Sequence, residues 1–220
     1  FVPLDVSVEM LTAAAHSIAV DYPGVRVEAL ATDFDAPLLP PGEPGSRLVA
    51  FLGSTIGNLT PARRAAFLAR WRAQLSPGDA FLVGADLVKD VRRMVAAYDD
   101  TAGVTAAFNR NLIAVLATEF AVDLDPEDFT HVAHWNDRAE CIEMRLRARR
   151  DIAVVLGSTP LRLRRGQELL TETSAKFRVE PLRQELHRAG LQPTRTWTDP
   201  ADDYALVLCT VPQTPDDPPA

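Results

Sequence analysis

The chain has 220 residues, 47% of them hydrophobic and 24% charged, a globular mixture that excludes a wholly disordered chain, a collagen-like repeat and a small disulfide scaffold. Thirty acids against 23 bases give a net charge of −7, which argues against a general grip on nucleic acid. No apolar run approaches the roughly 20 residues needed to cross a bilayer, and no signal-peptide pattern opens the chain, so a soluble, cytoplasmic protein with no membrane partner is expected.

The chain begins abruptly with Phe1-Val2-Pro3-Leu4-Asp5, an apolar strand-like stretch ending in a carboxylate. This opening reads as a chain that has lost its front end. Ser7 then suits a helix N-cap, with Leu11, Ala14, Ala15 and Ile18 at helical spacing, and Tyr22-Pro23-Gly24 stops the helix. Val25–Leu30 reads as a strand running into Asp33-Phe34, followed by a proline-rich loop from Pro37 to Gly45. Leu48–Leu52 is a continuous apolar run of the kind buried on both faces of a parallel sheet. Thr60-Pro61 opens a helix whose inner face carries Leu68, Trp71 and Leu75.

Phe81–Gly84 is a further buried strand, and Val91, Met94, Val95 and Tyr98 form one helical stripe. The next helix is expected to pack through Phe108, Leu112, Val115 and Leu116. From about Glu140 the period becomes two: Ile142, Met144 and Leu146 alternate with Glu143, Arg145 and Arg147, the mark of a half-buried strand. Leu161–Leu163 and Leu170–Phe177 continue this region. A helix through Leu182, Leu186 and Ala189 ends at Gly190, Tyr204–Val211 is the last strand, and residues 212–220 read as a disordered tail. The alternation predicts a doubly wound α/β sheet whose final elements run antiparallel, with a small α+β insertion near residues 100–180.

Cys141 and Cys209 are far apart, offer no metal knuckle or redox pair, and read as core residues. His131 and His134 have no evident partners for a metal, Trp135 and Trp197 read as packing residues, and Arg162, Arg164 and Arg165 as a solvated face.

In doubly wound sheets ligands gather at the carboxyl ends of the strands. Asp5, Asp33-Phe34 and Gly53–Asn58 follow three successive strands. A carboxylate there can accept both hydroxyls of a ribose, an Asp-Phe pair can bind and cover an adenine, and a glycine admits close backbone approach. Each has a plainer alternative: Asp5 as a helix cap, Asp33-Phe34 as a loop acid beside a core aromatic, Gly57-Asn58 as a turn. No G-x-G occurs in the chain, so dinucleotide oxidoreductases and P-loop enzymes find no support.

Longer stretches are more specific. Val2–Ser7, Phe51–Pro61, Asp86–Asp90, Ala97–Asp100, Gly103–Asn111 and Leu170–Phe177 closely resemble the histidine-specific methyltransferases of ergothioneine biosynthesis, and the likeness runs from residue 1 to about 211. The resemblance implies a Rossmann-like class I methyltransferase sheet, its first central strand missing, in about the last two-thirds of a larger enzyme. Residues 1–100 and 181–211 would form the methyltransferase domain, and 101–180 a substrate-binding insertion. It implies transfer of three methyl groups from S-adenosylmethionine to the α-amine of L-histidine, with no metal, in an enzyme monomeric when complete. By the same resemblance Asp5, Asp33, Phe34 and Gly53 belong to the cofactor. Asn58 and Tyr98 would hold the amino-acid end of the substrate, Glu172-Thr173-Ser174 supplies the imidazole pair Glu172 and Ser174, and Met144 packs beside that ring.

These residue types suit methyl transfer. The sulfonium already activates the methyl group, so the protein supplies proximity and alignment. A neutral Asn58 amide can fix an amine without keeping it protonated, and the face of Tyr98 suits a growing ammonium. Glu172 and Ser174, two apart in an extended segment, share one face and can reach both nitrogens of an imidazole.

Overall fold

In the computed structural model, which describes residues 1–34 and 47–212, the amino-terminal elements are strand β1 (Leu4–Asp5), helix α1 (Val8–Asp21) and strand β2 (Leu30–Ala31). β1 and β2 pair in parallel as a ribbon of their own. Ser7 caps α1, its Oγ accepting the Met10 N–H at 3.3 Å. Both strands are shorter than the apolar stretches Phe1–Asp5 and Val25–Leu30 suggest, although the Glu28 N–H still donates to the Phe1 carbonyl and the Thr32 N–H to the Asp5 carbonyl on either side of the two register pairs. The proline-rich loop from Pro37 to Gly45 and the tail beyond residue 212 lie outside the described residues.

Strand β3 (Leu48–Phe51), helix α2 (Pro61–Gln74) and strand β4 (Ala80–Asp86) follow. β3 does not have two buried faces: Leu48 is 59% and Leu52 48% exposed. The reason is its position, since among the described residues it is hydrogen-bonded to β4 alone and is the edge of a four-stranded sheet. Thr60 caps α2 and Pro61 occupies its first turn. Helices α3 (Val91–Tyr98) and α4 (Val104–Phe120) come next. Asp100 accepts the backbone N–H groups of Thr105 and Val104, which holds its carboxyl down to about 2.

α4 buries only part of the expected face, with Leu116 packed against an apolar cluster. Asn109 and Ile113 point inward, whereas Phe108 is 66% exposed and Leu112 and Val115 also face outward. Asn109 turns inward because its amide donates to the Arg145 carbonyl at 3.2 Å and meets His131 Nδ1 at 2.9 Å. Asn109 shares this face with Ile113, Leu116 and Ala117.

Strands β5 (Phe129–Asn136), β6 (Cys141–Ala148), β7 (Ile152–Leu156), β8 (Thr159–Leu163) and β9 (Glu168–Ala175) are all antiparallel with their neighbours. β5-β6-β9 make one sheet and β7-β8 a hairpin. Helix α5 (Val179–Arg188) and strands β10 (Gln192–Thr198) and β11 (Tyr204–Thr210) complete the chain. The large sheet has the order β10-β11-β4-β3, parallel between β3 and β4 and antiparallel thereafter.

Two apolar clusters hold these layers. The first joins Phe67, Leu68 and Trp71 of α2 to Phe81 and Val83 of β4, Leu182 and Leu186 of α5, and Val207 of β11. The second gathers Ile113, Phe129, Leu146, Ile152 and Leu163. Cys141 and Cys209 are free and buried, one in each main sheet, and burial pushes the Cys209 thiol up to about 12. Trp197, by contrast, is 38% exposed beneath the Arg195 guanidinium and packs no core. No helix among the described residues is long and apolar enough to cross a membrane.

Candidate active site

A short backbone bridge builds the site. Past the end of β9, the Phe177 N–H donates to the Asp86 carbonyl at 2.8 Å and the Val88 N–H donates to the Phe177 carbonyl at 2.9 Å. This lays the end of β9 beside the carboxyl end of β4 and sets residue 176 next to residue 86. Gly57, in the 3₁₀ turn Thr55–Asn58 after β3, closes the third side. A Cβ at Gly57 would stand 2.7 Å from the Ala175 carbonyl oxygen, so only glycine lets the turn lie against β9.

The resulting open cavity of about 450 Å³ is lined by Gly53, Ser54, Thr55, Asn58, Asp86, Tyr98, Glu172, Ser174, Lys176 and Tyr204. Four expected substrate residues, Asn58, Tyr98, Glu172 and Ser174, converge there from three separate elements. Asn58 Nδ2 donates to Glu172 Oε1 at 3.2 Å, and Tyr98 Oη donates to Ser174 Oγ at 2.8 Å. Met144 is the register partner of Glu172 and shares its face of the sheet, but it is buried and outside the cavity lining. Thr173 falls on the other face of β9, opposite Glu143.

Lys176 lies beneath these residues with a side chain only 1% exposed. Its Nζ is 2.8 Å from Asp86 Oδ2, donates to Tyr98 Oη at 2.8 Å and Ser174 Oγ at 3.1 Å, and lies 4.7 Å from the Tyr98 ring centroid. The cation over the Tyr98 ring is thus the chain's own. Asp86 also pairs with Lys89 Nζ at 2.6 Å. Burial pushes the Asp86 carboxyl up, but the two lysines outweigh it and hold the group below 3.8. For Glu172 the balance is reversed: burial raises the carboxyl above its usual value and the Lys176 charge offsets only part of that.

The expected cofactor residues are distributed differently. Gly53 lines the cavity with φ at +74°, and where its Cβ would stand the nearest atom is 3.9 Å away, leaving open space for a ligand. Ser54 is also left-handed, at φ 61°, and its Oγ accepts the Asp86 N–H at 2.9 Å. Asp5 ends β1, where its Oδ1 accepts the Ser7 N–H at 2.8 Å. Asp33 follows β2, and the half-buried Phe34 ring lies 5.5 Å from Phe51 and 6.1 Å from Phe67. These three stand outside the cavity lining.

The family described as "Histidine-specific methyltransferase, SAM-dependent" matches residues 1–211. The chain belongs to this family. It is 50% identical over 210 residues to the histidine N-alpha-methyltransferase of Mycolicibacterium smegmatis and 48% identical to that of Mycobacterium tuberculosis. Each match covers 94% of this chain but 65% of the relative's length. Among solved structures, an S-adenosylmethionine-dependent methyltransferase from Clostridium acetobutylicum superposes with a TM-score of 0.51 at 11% identity, covering 96% of this chain and 74% of that one. That likeness shows the class I methyltransferase fold.

Asp86 and Lys176 fall within two of the stretches that resemble the family, yet sequence reasoning gives neither a role. It also misses Tyr204, whose ring reaches across Gly84 into the cavity. Their meeting depends on the β4–β9 bridge, which no local pattern announces. His131 likewise has a structural role. With the Asn109 amide donating to Nδ1, its Nε2–H donates to the Tyr98 carbonyl at 2.8 Å and tethers the end of α3. Among the described residues no cluster of His, Cys, Asp and Glu could hold a metal ion.

Proposed function

We propose that this chain is the part of a histidine Nα-methyltransferase that carries the substrate pocket, converting L-histidine to its trimethylated betaine in ergothioneine biosynthesis. The observation that carries this reading is the convergence of Asn58, Tyr98, Glu172 and Ser174 on one cavity beside Gly53. The names of the two mycobacterial relatives support the substrate, and the family description supports the methyl donor. Residues 101–180 then act as the substrate-binding insertion on a class I methyltransferase sheet.

Bound S-adenosylmethionine would supply a methyl group already activated by its sulfonium. The residues that suit it are Gly53, which leaves the cavity open at its Cα, and the strand-end acids Asp5 and Asp33 with Phe34 beside them. What the chain itself contributes is then binding and alignment. Glu172 accepts a ring N–H, and Ser174 reaches the second ring nitrogen. The neutral amide of Asn58 fixes the α-amine while leaving its lone pair available. Met144, the register partner of Glu172, supports that side chain from outside the cavity lining. A half-buried carboxylate left without its ring N–H is costly, so amino acids lacking an imidazole are disfavoured.

The test is methyl transfer from labelled S-adenosylmethionine to L-histidine, with products resolved by mass. The expected outcome is mono-, di- and trimethylated histidine, and a loss of at least about tenfold in kcat/KM for Glu172→Ala. Equal turnover of unrelated amino acids, or indifference to Glu172→Ala, would overturn the reading.

A further inference from the structure

Lys176 carries three N–H donors and no acceptor. The oxygens around its buried ammonium are Asp86 Oδ2, Tyr98 Oη and Ser174 Oγ, at 2.8, 2.8 and 3.1 Å. Both hydroxyl oxygens therefore accept from Lys176. Tyr98 then directs its own proton to Ser174 Oγ at 2.8 Å. Ser174 Oγ accepts twice, which fills both lone pairs, and the hydroxyl proton is the one valence it has left. That proton has no acceptor among these partners, so Ser174 faces the cavity as a donor. Glu172, two residues earlier on the same face, is an acceptor that already takes the Asn58 amide.

We propose that Lys176 is a positioning residue for ring specificity: by filling the Ser174 oxygen directly and through Tyr98, it makes Ser174 a donor only. The Glu172–Ser174 pair then selects a ring with one N–H and one bare nitrogen, the neutral imidazole. This inference rests on the histidine reading above and deepens it, since that reading leaves the direction of the Ser174 hydrogen bond open. Asp86, shared with Lys89, holds the ammonium in place.

The experiment compares two ligands by titration calorimetry in the presence of S-adenosylhomocysteine. L-Histidine and 3-(pyrrol-3-yl)-L-alanine share the amino-acid end and a ring N–H, but the pyrrole has a C–H in place of the bare nitrogen. The wild-type protein is expected to prefer histidine by at least about tenfold, because the pyrrole leaves the Ser174 donor unpaired. In Lys176→Met the Ser174 hydroxyl is free to turn back to Tyr98 Oη, and the preference should fall below about threefold. Lys176→Arg keeps donors at this position and should retain the preference. If Lys176→Met lacks a cooperative melt, Lys176→Gln makes the same comparison, since its amide oxygen can accept the Ser174 proton and narrows the ratio likewise.

An unchanged ratio in Lys176→Met or Lys176→Gln, with both ligands weakened equally, overturns the inference and leaves the histidine reading standing. A wild-type protein that binds neither ligand overturns that reading and the inference with it.

Discussion

Asp86 Oδ2 lies 2.8 Å from Lys176 Nζ, and the two side chains are 24% and 1% exposed. Breaking such a pair strands a buried charge. Asp86→Asn is therefore expected to cost about 3 kcal/mol, read as a lower urea midpoint at unchanged m-value.

The same pair sets a pH dependence. The folded Asp86 carboxyl lies below 3.8, so its stabilisation is complete above the unfolded value and is lost as pH falls through the folded one. The urea midpoint of the wild type should fall below about pH 4 more steeply than that of Asp86→Asn. Parallel curves for the two proteins would show that Asp86 contributes nothing to the acid limb.

Glu172 carries the opposite sign. Its folded value is raised, so the folded state holds the proton more tightly than the unfolded state, and ionisation at neutral pH opposes folding. Glu172→Gln should raise the melting temperature of the unliganded protein by about 1–2 °C, a small gain because the group is only half-buried. It should at the same time weaken histidine binding. Function and stability conflict at this position. Differential scanning calorimetry at pH 7, beside calorimetric titration, checks both halves.

Gly57→Ala sets a methyl 2.7 Å from the Ala175 carbonyl. Neither partner is a flexible side-chain end, so the turn must shift away from β9, at a cost of about 1–3 kcal/mol. Asn58 moves with that turn. The variant should raise KM for histidine beyond what its lower melting temperature accounts for, as measured by steady-state kinetics well below the melt.

Arg64 ties separate pieces of the core together. Its Nε donates to Glu185 Oε1 at 2.6 Å, its Nη1 to the Leu59 carbonyl at 3.2 Å, and its guanidinium lies 5.0 Å from the Phe177 ring centroid. Arg64→Ala should destabilise by about 2–4 kcal/mol. Arg64→Lys should recover less than half of that, since an ammonium lacks the planar fork and the stack. Chemical denaturation of the two variants distinguishes these outcomes.

How far the fold is legible depends on the range of the forces involved. The α2 boundaries follow from Thr60 and Pro61, and its inner face from Leu68, Trp71 and Leu75, all within one helix. The alternation in β6 correctly places Ile142, Met144 and Leu146 inside. In α4, counting apolar residues selects Phe108 and Leu112, yet the buried face runs through Asn109 and Ile113, and the Asn109 partners His131 and Arg145 lie on strands β5 and β6. Strands β5 and β10 carry polar residues at many positions and are defined by their neighbours rather than their own pattern. At the site, Glu172 and Ser174 are legible from their spacing together with the family resemblance. Lys176 and Asp86 are not, because 90 residues separate them and they meet through the long-range bridge at Phe177.

The two cysteines make the protein its own unfolding gauge. Cys141 sits in the β5-β6-β9 sheet and Cys209 in the four-stranded sheet, both buried, and burial raises each thiol above its ordinary value. A thiolate is the reacting form, so neither side chain is alkylated until its sheet opens. Timed alkylation with peptide mapping would then clock the two halves of the molecule separately, in the untouched sequence and with no engineered probe.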